Sequence, residues 1–379
     1  MPARKTSPRR EARARSAPQG AAKLESVRAR IDAVDEQIHQ LLNERAKLAQ
    51  AVGISKSREG HTVDFYRPER EAQVLRRARE RNRGPLRDEE VVRLFREIMS
   101  ACLAQQEPLK VGYLGPEGTF SEQAMRKHFG HSAHGLPLAS IEEVFQEVEN
   151  GNADFGVVPV ENSGEGTIQI TLDMFLSSEL KICGEVELRV RQFLLSRTGR
   201  IEDIERVYSH PQSFAQCRGW LRTHLPKVEK VPVSSNAEAA RRARNADDAA
   251  AIAGESAAHI YGLRKVIMSP IEDRDDNTTR FLVLGRQFFP SSGHDRTSVL
   301  VFIQDQPGAL FNVLSPFARH GISMNRIESR PSHQAKWEYA FFIDLAGHID
   351  DPPMKQALKE LERLSAQIKV LGSYPVAVL

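Results

Sequence analysis

Asp276–Gly285 reads DNTTRFLVLG, a set of turn-forming and polar residues placed directly before an apolar run. Phe281 to Leu284 favours a buried strand, and Asp276 with Asn277 marks where it begins. Polar residues thus crowd the mouth of this strand, and sheet mouths in α/β proteins are where ligands sit. Thr278, Thr279 and Arg280 are therefore candidates for chemistry, the alternative being a capped turn. Alternation along a strand sends Thr279 and Arg280 to opposite faces, so different roles are expected of them.

Four upstream stretches share this design. KVGYLGPEGTFSEQA (110–124), FGVVPVENSGEGT (155–167), RVYSHPQSFAQC (206–217) and KVPVSSNAEAA (230–240) each run from a short apolar strand through a hydroxyl-rich loop into a helix. Free backbone donors at a helix start, joined by hydroxyls, suit a carboxylate. The candidates are Thr119 and Ser121, then Glu161, Asn162 and Ser163, then Ser209, His210 and Gln212, with Ser234, Ser235 and Asn236 in the fourth loop. Helix capping explains any one loop alone. Four in order point to a shared cleft. His210, beside a proline turn, is read first as structural and second as an acid–base group.

A chain of 379 residues with 40% hydrophobic content exceeds what one core supports, so two or three domains are expected. No apolar run approaches the roughly 20 residues of a membrane span, and none follows Arg9 and Arg10 as an export signal requires. A cytoplasmic protein with no membrane contact is expected. Cys102, Cys183 and Cys217 are far apart and form no Cys-x-x-Cys, so they are read as reduced, with neither disulfide nor metal. No cofactor is expected. Residues 1–106 carry 23 Lys and Arg against 15 acids, while the remainder carries 30 against 35, so the basic excess is confined to the first part. Some of it lies in MPARKTSPRREARARSAPQG (1–20), which has no apolar periodicity and is expected to be a disordered tail. It is not expected to bind nucleic acid.

From Leu24 the apolar positions run Val27, Ile31, Val34, Ile38, Leu41, Leu48 and Val52, the three-four spacing of a long packing helix. That spacing calls for an apolar residue at 45, where the chain has Arg45. An unpaired buried guanidinium costs several kcal/mol or more, so an anion must meet it, from the protein or from a ligand. A register-setting polar residue of a coiled coil is the alternative. Lys56 lies on the same face within about 20°. Arg28 lies roughly 25 Å away along the axis, so a partner chain would have to supply it to the same pocket. Pro68 opens a second helix with Glu71 on its apolar stripe. A third, with Asp88 as its expected cap, extends its apolar face through Cys102 to Gln106.

VRARIDAVDEQIHQLLNERAKLAQAVGISK followed by YRPEREAQVL resembles the all-helical chorismate mutase domain. The resemblance implies that Arg45 and a partner chain's Arg28 hold the two carboxylates of chorismate. It also implies that Lys56 and Gln106 donate to the ether oxygen and that Glu71 takes the ring hydroxyl. Arg67 and Cys102 stand where other members carry an aspartate and a serine. GPEGTFS, VPVENS, SHPQSFAQC, AAIAGESAAHIYGL and NTTRF, in this order, resemble prephenate dehydratase, a two-lobed α/β fold similar to periplasmic binding proteins. The resemblance implies that TTRFLVLG (278–285) is the strand returning from the second lobe. It assigns the hydrogen bond to the departing hydroxyl to Thr279, with Arg280 anchoring an anion or bracing the lobe. The tail reads strand, helix, two strands, helix, strand, the α+β ferredoxin-like order. PGAL and ESRP make it resemble an ACT domain, implying that Gly308, Ala309, Leu310, Glu328, Ser329 and Arg330 bind phenylalanine.

The expected organisation is a mutase domain at 21–107, a dehydratase domain at 108–287 and a regulatory domain at 297–379. The expected protein is a bifunctional homodimer or higher homo-oligomer acting on chorismate and prephenate and inhibited by phenylalanine. A non-catalytic amino-acid-sensing regulator and a monofunctional dehydratase with a helical dimerisation segment are the alternatives.

Overall fold

The computed structural model describes residues 19–58, 66–304, 306–331, 338–363 and 367–378, the side chains of 19–23, 53–58, 304 and 338 excepted. Residues 1–18, most of the expected tail, lie outside the described residues. Helix α1 (Gln19–Arg58) belongs to a unit of its own, residues 1–61. At about 1.5 Å per residue it is a rod of about 60 Å. Its three-four stripe is open to solvent, with Ile31 54% and Leu41 64% exposed.

The second unit spans residues 62–379. Pro68 begins α2 (Pro68–Arg81), which has acids in its first turn and arginines in its last, complementing the helix dipole at both ends. In helix α3 (Asp88–Ala104) the N-cap position falls on Arg87, whose side chain makes no capping hydrogen bond, and Asp88 instead adds negative charge to the first turn. The helix ends before Gln106, which occupies the following turn rather than extending the helical face. Ala72, Leu75 and Val92 form a small core here with Val378 from the far end of the chain.

The next elements are β1 (Lys110–Leu114), α4 (Phe120–Phe129), β2 (His134–Leu138), α5 (Ile141–Glu149), β3 (Phe155–Asn162), β4 (Gly166–Thr167), α6 (Gln169–Ser177) and β5 (Lys181–Arg189). They build the first lobe. The chain then crosses to a second lobe of β6 (Phe193–Ser196), β7 (Arg206–Ser209), α7 (Pro211–Gln216), α8 (Arg218–His224), β8 (Glu229–Pro232), α9 (Asn236–Ala243), β9 (Ala249–Ala253), α10 (Glu255–Tyr261) and β10 (Arg264–Lys265). It returns as β11 (Thr278–Gly285), inserted between β3 and β5 and antiparallel to both. The sheet orders are β2-β1-β3-β11-β5, with β4 beside β3, and β10-β6-β9-β7-β8. This is the expected two-lobed α/β architecture.

The last part is β12 (Asp295–Gln304), α11 (Ala309–Arg319), β13 (Met324–Pro331), β14 (Glu338–Ala346), α12 (Pro352–Leu361) and β15 (Gln367–Pro375), with sheet order β13-β14-β12-β15. The βαββαβ order matches the expectation. Leu300, Phe302, Phe342 and Leu371 of this domain share one core with Val158, Phe175, Ile182 and Leu282 of the first lobe. β15 passes so close to β5 that a Cβ on Gly372 would collide with the Ile182 carbonyl oxygen, so only glycine fits there.

A buried charge cluster crosses this junction. The fully buried side chain of Glu185 on β5 accepts from Arg280 at 2.9 Å and from Arg296 on β12. Arg280 also donates to Asp344 on β14 at 2.7 Å and to the Tyr374 hydroxyl on β15 at 3.1 Å. Removing one member of such a cluster strands the others without compensation. Glu185→Ala is expected to destabilise this unit by about 3–5 kcal/mol in chemical denaturation, whereas a change below about 1 kcal/mol would show that the cluster is screened by water.

Candidate active site

Between the lobes lies a cleft of about 870 Å³. The loop from β1 into α4 contributes Gly118, Thr119 and Ser121, and the end of β3 contributes Asn162. β11 adds Thr279 and Phe281. The second lobe adds His210, Gln212 and Ser213 at the start of α7, and Ser234, Ser235 and Asn236 at the start of α9. The four hydroxyl-rich loops do meet. Among the described residues lining the cleft none is Lys or Arg, so an anion there is met by N–H groups and hydroxyls.

Local hydrogen bonds explain why each loop holds its shape. Thr119 caps α4 by accepting from the Glu122 N–H at 3.4 Å while donating to the Leu114 carbonyl at 3.0 Å. Glu122 answers by accepting from the Gly118 N–H at 2.6 Å. His210 caps α7 through Nδ1, which accepts from the Gln212 N–H at 3.3 Å. Ser235 caps α9 by accepting from the Glu238 N–H at 3.0 Å.

Several candidates lie elsewhere. Arg280 points away from the cleft into the junction cluster, because alternation gives it the face opposite Thr279. Glu161 faces Arg326 on β13 at 3.2 Å. Ser163 accepts from the Thr278 N–H at 3.0 Å and donates to the Asp276 carbonyl at 3.3 Å, so it clamps the start of β11 rather than facing the cavity. Ser209 is buried and donates to Asn236 Oδ1 at 3.3 Å. Thr278 also lies outside the cleft lining.

Gln192 and Gln216 line the cleft and were not anticipated. Gln192 Nε2 donates to Ser213 Oγ at 3.0 Å and to Gln216 Oε1 at 3.2 Å, and Asn236 Nδ2 donates to Ser213 Oγ at 2.8 Å. The sequence signal for Gln192 is the one seen at Asp276–Gly285, a polar residue set directly before an apolar run.

The mutase candidates are divided between the two units. On α1, Arg28 is exposed and Arg45 partly exposed, and neither forms an ion pair among the described residues. The side chain of Lys56 lies outside the described residues. In the second unit Arg67 pairs with Glu69 at 2.6 Å, and Cys102 is buried. Glu71 turns inward and approaches Arg96 at 3.7 Å, beside a cavity of about 40 Å³ shared with Tyr66, His128 and residues 375–378. Burial raises its carboxyl to about 7, against the lowering influence of Arg96. Burial, reinforced by Arg96, drives His128 down to about 3, and its Nε2 lies 2.8 Å from the Tyr66 hydroxyl.

In the C-terminal βαββαβ domain, Gly308 takes φ +81° at the start of α11, with open space where a Cβ would lie and with Ala309 and the exposed Leu310 following. Ser329 is exposed. Glu328 and Arg330 are already engaged across the junction. Glu328 accepts from Thr167 Oγ1 at 3.0 Å, and Arg330 grips both oxygens of Asp173 at 2.5 and 2.7 Å.

Three family models match the chain: chorismate mutase type II over residues 27–107, prephenate dehydratase over 111–288 and the ACT domain over 297–363. A bifunctional chorismate mutase/prephenate dehydratase of Pseudomonas aeruginosa is 52% identical over 360 residues, 94% of this chain and 98% of that one. A protein of the same description from Stutzerimonas stutzeri is 53% identical over the same shares of each chain. The crystal structure of a prephenate dehydratase from Arthrobacter aurescens in complex with L-Phe superposes with a TM-score of 0.65. It is 37% identical and covers 70% of this chain and 90% of that one.

The raised carboxyl of Glu71 has a consequence for stability. The folded state holds this proton up to about pH 7, whereas the unfolded chain releases it near 4.5, so stability falls as pH rises between the two. In urea titrations the parent should lose about 3 kcal/mol relative to Glu71→Gln between those pH values. A pH-independent difference would contradict the burial of this carboxyl.

Proposed function

The chain belongs to the bifunctional chorismate mutase/prephenate dehydratase family and carries both activities with an ACT domain, and from that premise we propose how its residues divide the work. The domains are taken as 21–107, 108–287 and 297–379. Chorismate is held in the helical part, its two carboxylates on Arg45 and on Arg28 of the partner subunit. Lys56 and Gln106 donate to the ether oxygen, where charge grows as the bond breaks. Glu71 takes the ring hydroxyl, its long contact with Arg96 being weak enough to give up, and Arg67 and Cys102 border the substrate. The step is pericyclic, so holding a compact conformer and stabilising that charge suffices. The open stripe of α1 supports a homodimer, since a second copy would cover it. With no helix long and apolar enough to span a membrane among the described residues, the reading is of a cytoplasmic enzyme.

Prephenate is turned over in the interlobe cleft. Its ring loses the carboxylate as carbon dioxide, that bond's electron pair entering the ring. The ring C–O bond breaks with its pair on oxygen, and the departing hydroxide takes one solvent proton to become water. The Thr119 backbone N–H and Ser121 at the α4 start, with His210 and Gln212 at the α7 start, hold the carboxylates by neutral donors. Thr279 donates to the departing oxygen. The observation that carries this reading is that Thr279 lines a cleft that holds no Lys or Arg and, apart from the Glu165 carboxylate, is lined by hydroxyls, amides and the His210 imidazole. Phenylalanine binds the ACT domain at Gly308–Leu310 with Glu328, Ser329 and Arg330, and inhibits.

The two activities should separate by mutation. Arg45→Ala is expected to reduce chorismate rearrangement by at least about 100-fold while prephenate turnover stays within about threefold. Thr279→Val should do the reverse, with kcat for prephenate falling by about 100-fold or more. Parallel loss of both activities in either variant would refute the division of labour.

A further inference from the structure

We infer that Asn162 is a positioning residue of the dehydratase, which fixes the direction of the Thr279 hydroxyl proton so that it points into the cleft. The inference rests on the reading of Thr279 given above and adds what controls it.

The orientation of the Asn162 amide is set by its neighbours. Its Oδ1 accepts from the backbone N–H of Gly164 at 2.9 Å and of Glu165 at 3.2 Å. Backbone amides only donate, so the atom facing them has to be oxygen and the amide cannot be flipped. The other atom is therefore nitrogen, with two protons. One goes to Asn277 Oδ1 at 2.8 Å and the other to Thr279 Oγ1 at 2.9 Å. All four hydrogen-bonding positions of the amide are thus used within the protein, and Asn162, only 6% exposed, has none left for substrate. Thr279 Oγ1 receives a hydrogen bond here, so its own proton must leave in another direction. Among the described residues it has no acceptor, and the side chain borders the cleft. A hydroxyl that accepts one hydrogen bond also becomes a stronger donor in the next.

The backbone is arranged to bring this about. Pro159 in the middle of β3 has no N–H, and the ladder slips by one residue there: Phe281 pairs with Pro159, but Arg280 pairs with Glu161 and Thr279 with Asn162. Without that bulge Glu161 would stand opposite Thr279. A carboxylate there only accepts, and would draw the threonine proton away from the cleft.

Asn162→Asp tests this directly. The introduced carboxylate keeps an oxygen for the Gly164 and Glu165 amides but presents a second one to Thr279, so the hydroxyl turns toward it. At pH 7.5 kcat for prephenate should fall by about 100-fold with KM changed by less than about threefold. Asn162→Ala, Thr279→Val and the double variant complete the test. If Asn162 acts through Thr279, the double variant is no slower than Thr279→Val alone. Losses that multiply, or an Asn162→Asp variant whose kcat is unchanged or whose loss lies in KM, would overturn the inference. A fully active Thr279→Val would instead overturn the reading of Thr279 on which it stands.

Discussion

The returning strand β11 has two faces that cannot be exchanged. One carries Thr279 to the mouth of the interlobe cleft. The next residue, Arg280, enters a nearly water-free cluster with Glu185, Asp344, Arg296 and Tyr374. A guanidinium in that position is tolerable only because two carboxylates and a phenol surround it. One of those carboxylates comes from the dehydratase lobe and the other from the ACT domain. The position of the Thr279 hydroxyl and the docking of the ACT domain are therefore fixed by adjacent residues of one strand.

A second tie lies close by. β13 of the ACT domain carries Arg326, Glu328 and Arg330, which hold Glu161, Thr167 and Asp173 of the first lobe. Thr167 lines the cleft, and Glu161 precedes Asn162. Any rearrangement of β13 on effector binding must change these bonds, and so reach the loop that holds the Thr279 hydroxyl. Residues implied in effector recognition are thus also the ones that grip the dehydratase.

Much of this was legible in the sequence because it follows from short-range patterns. Alternation gave Thr279 and Arg280 opposite faces, and capping chemistry marked the four loops that converge on the cleft. The three-four spacing of α1 announced a long helix, and the βαββαβ order of the tail needed only strand and helix periods. What stayed hidden depends on three-dimensional neighbours. Ala249–Ala253 is a strand despite its alanines because it is buried on both faces in the middle of a sheet. Gln192 joins the cleft only because the chain crosses between lobes there. Glu161, Ser163 and Ser209 sit in the right loops but are consumed by other partners. The slip at Pro159, which chooses Asn162 over Glu161, requires knowing which strand pairs with β3.

The division of β11 into a cleft face and a bracing face is tested most directly by the kinetics of Arg280→Lys with prephenate, measured well below the variant's melting temperature. Lysine keeps the charge in the cluster but loses the fork that reaches several partners. KM within about threefold of the parent, together with lowered stability, is the result this account predicts. A rise in KM of about 100-fold or more with stability intact would mean that the guanidinium grips a substrate carboxylate, contradicting the assignment of that face to the ACT junction.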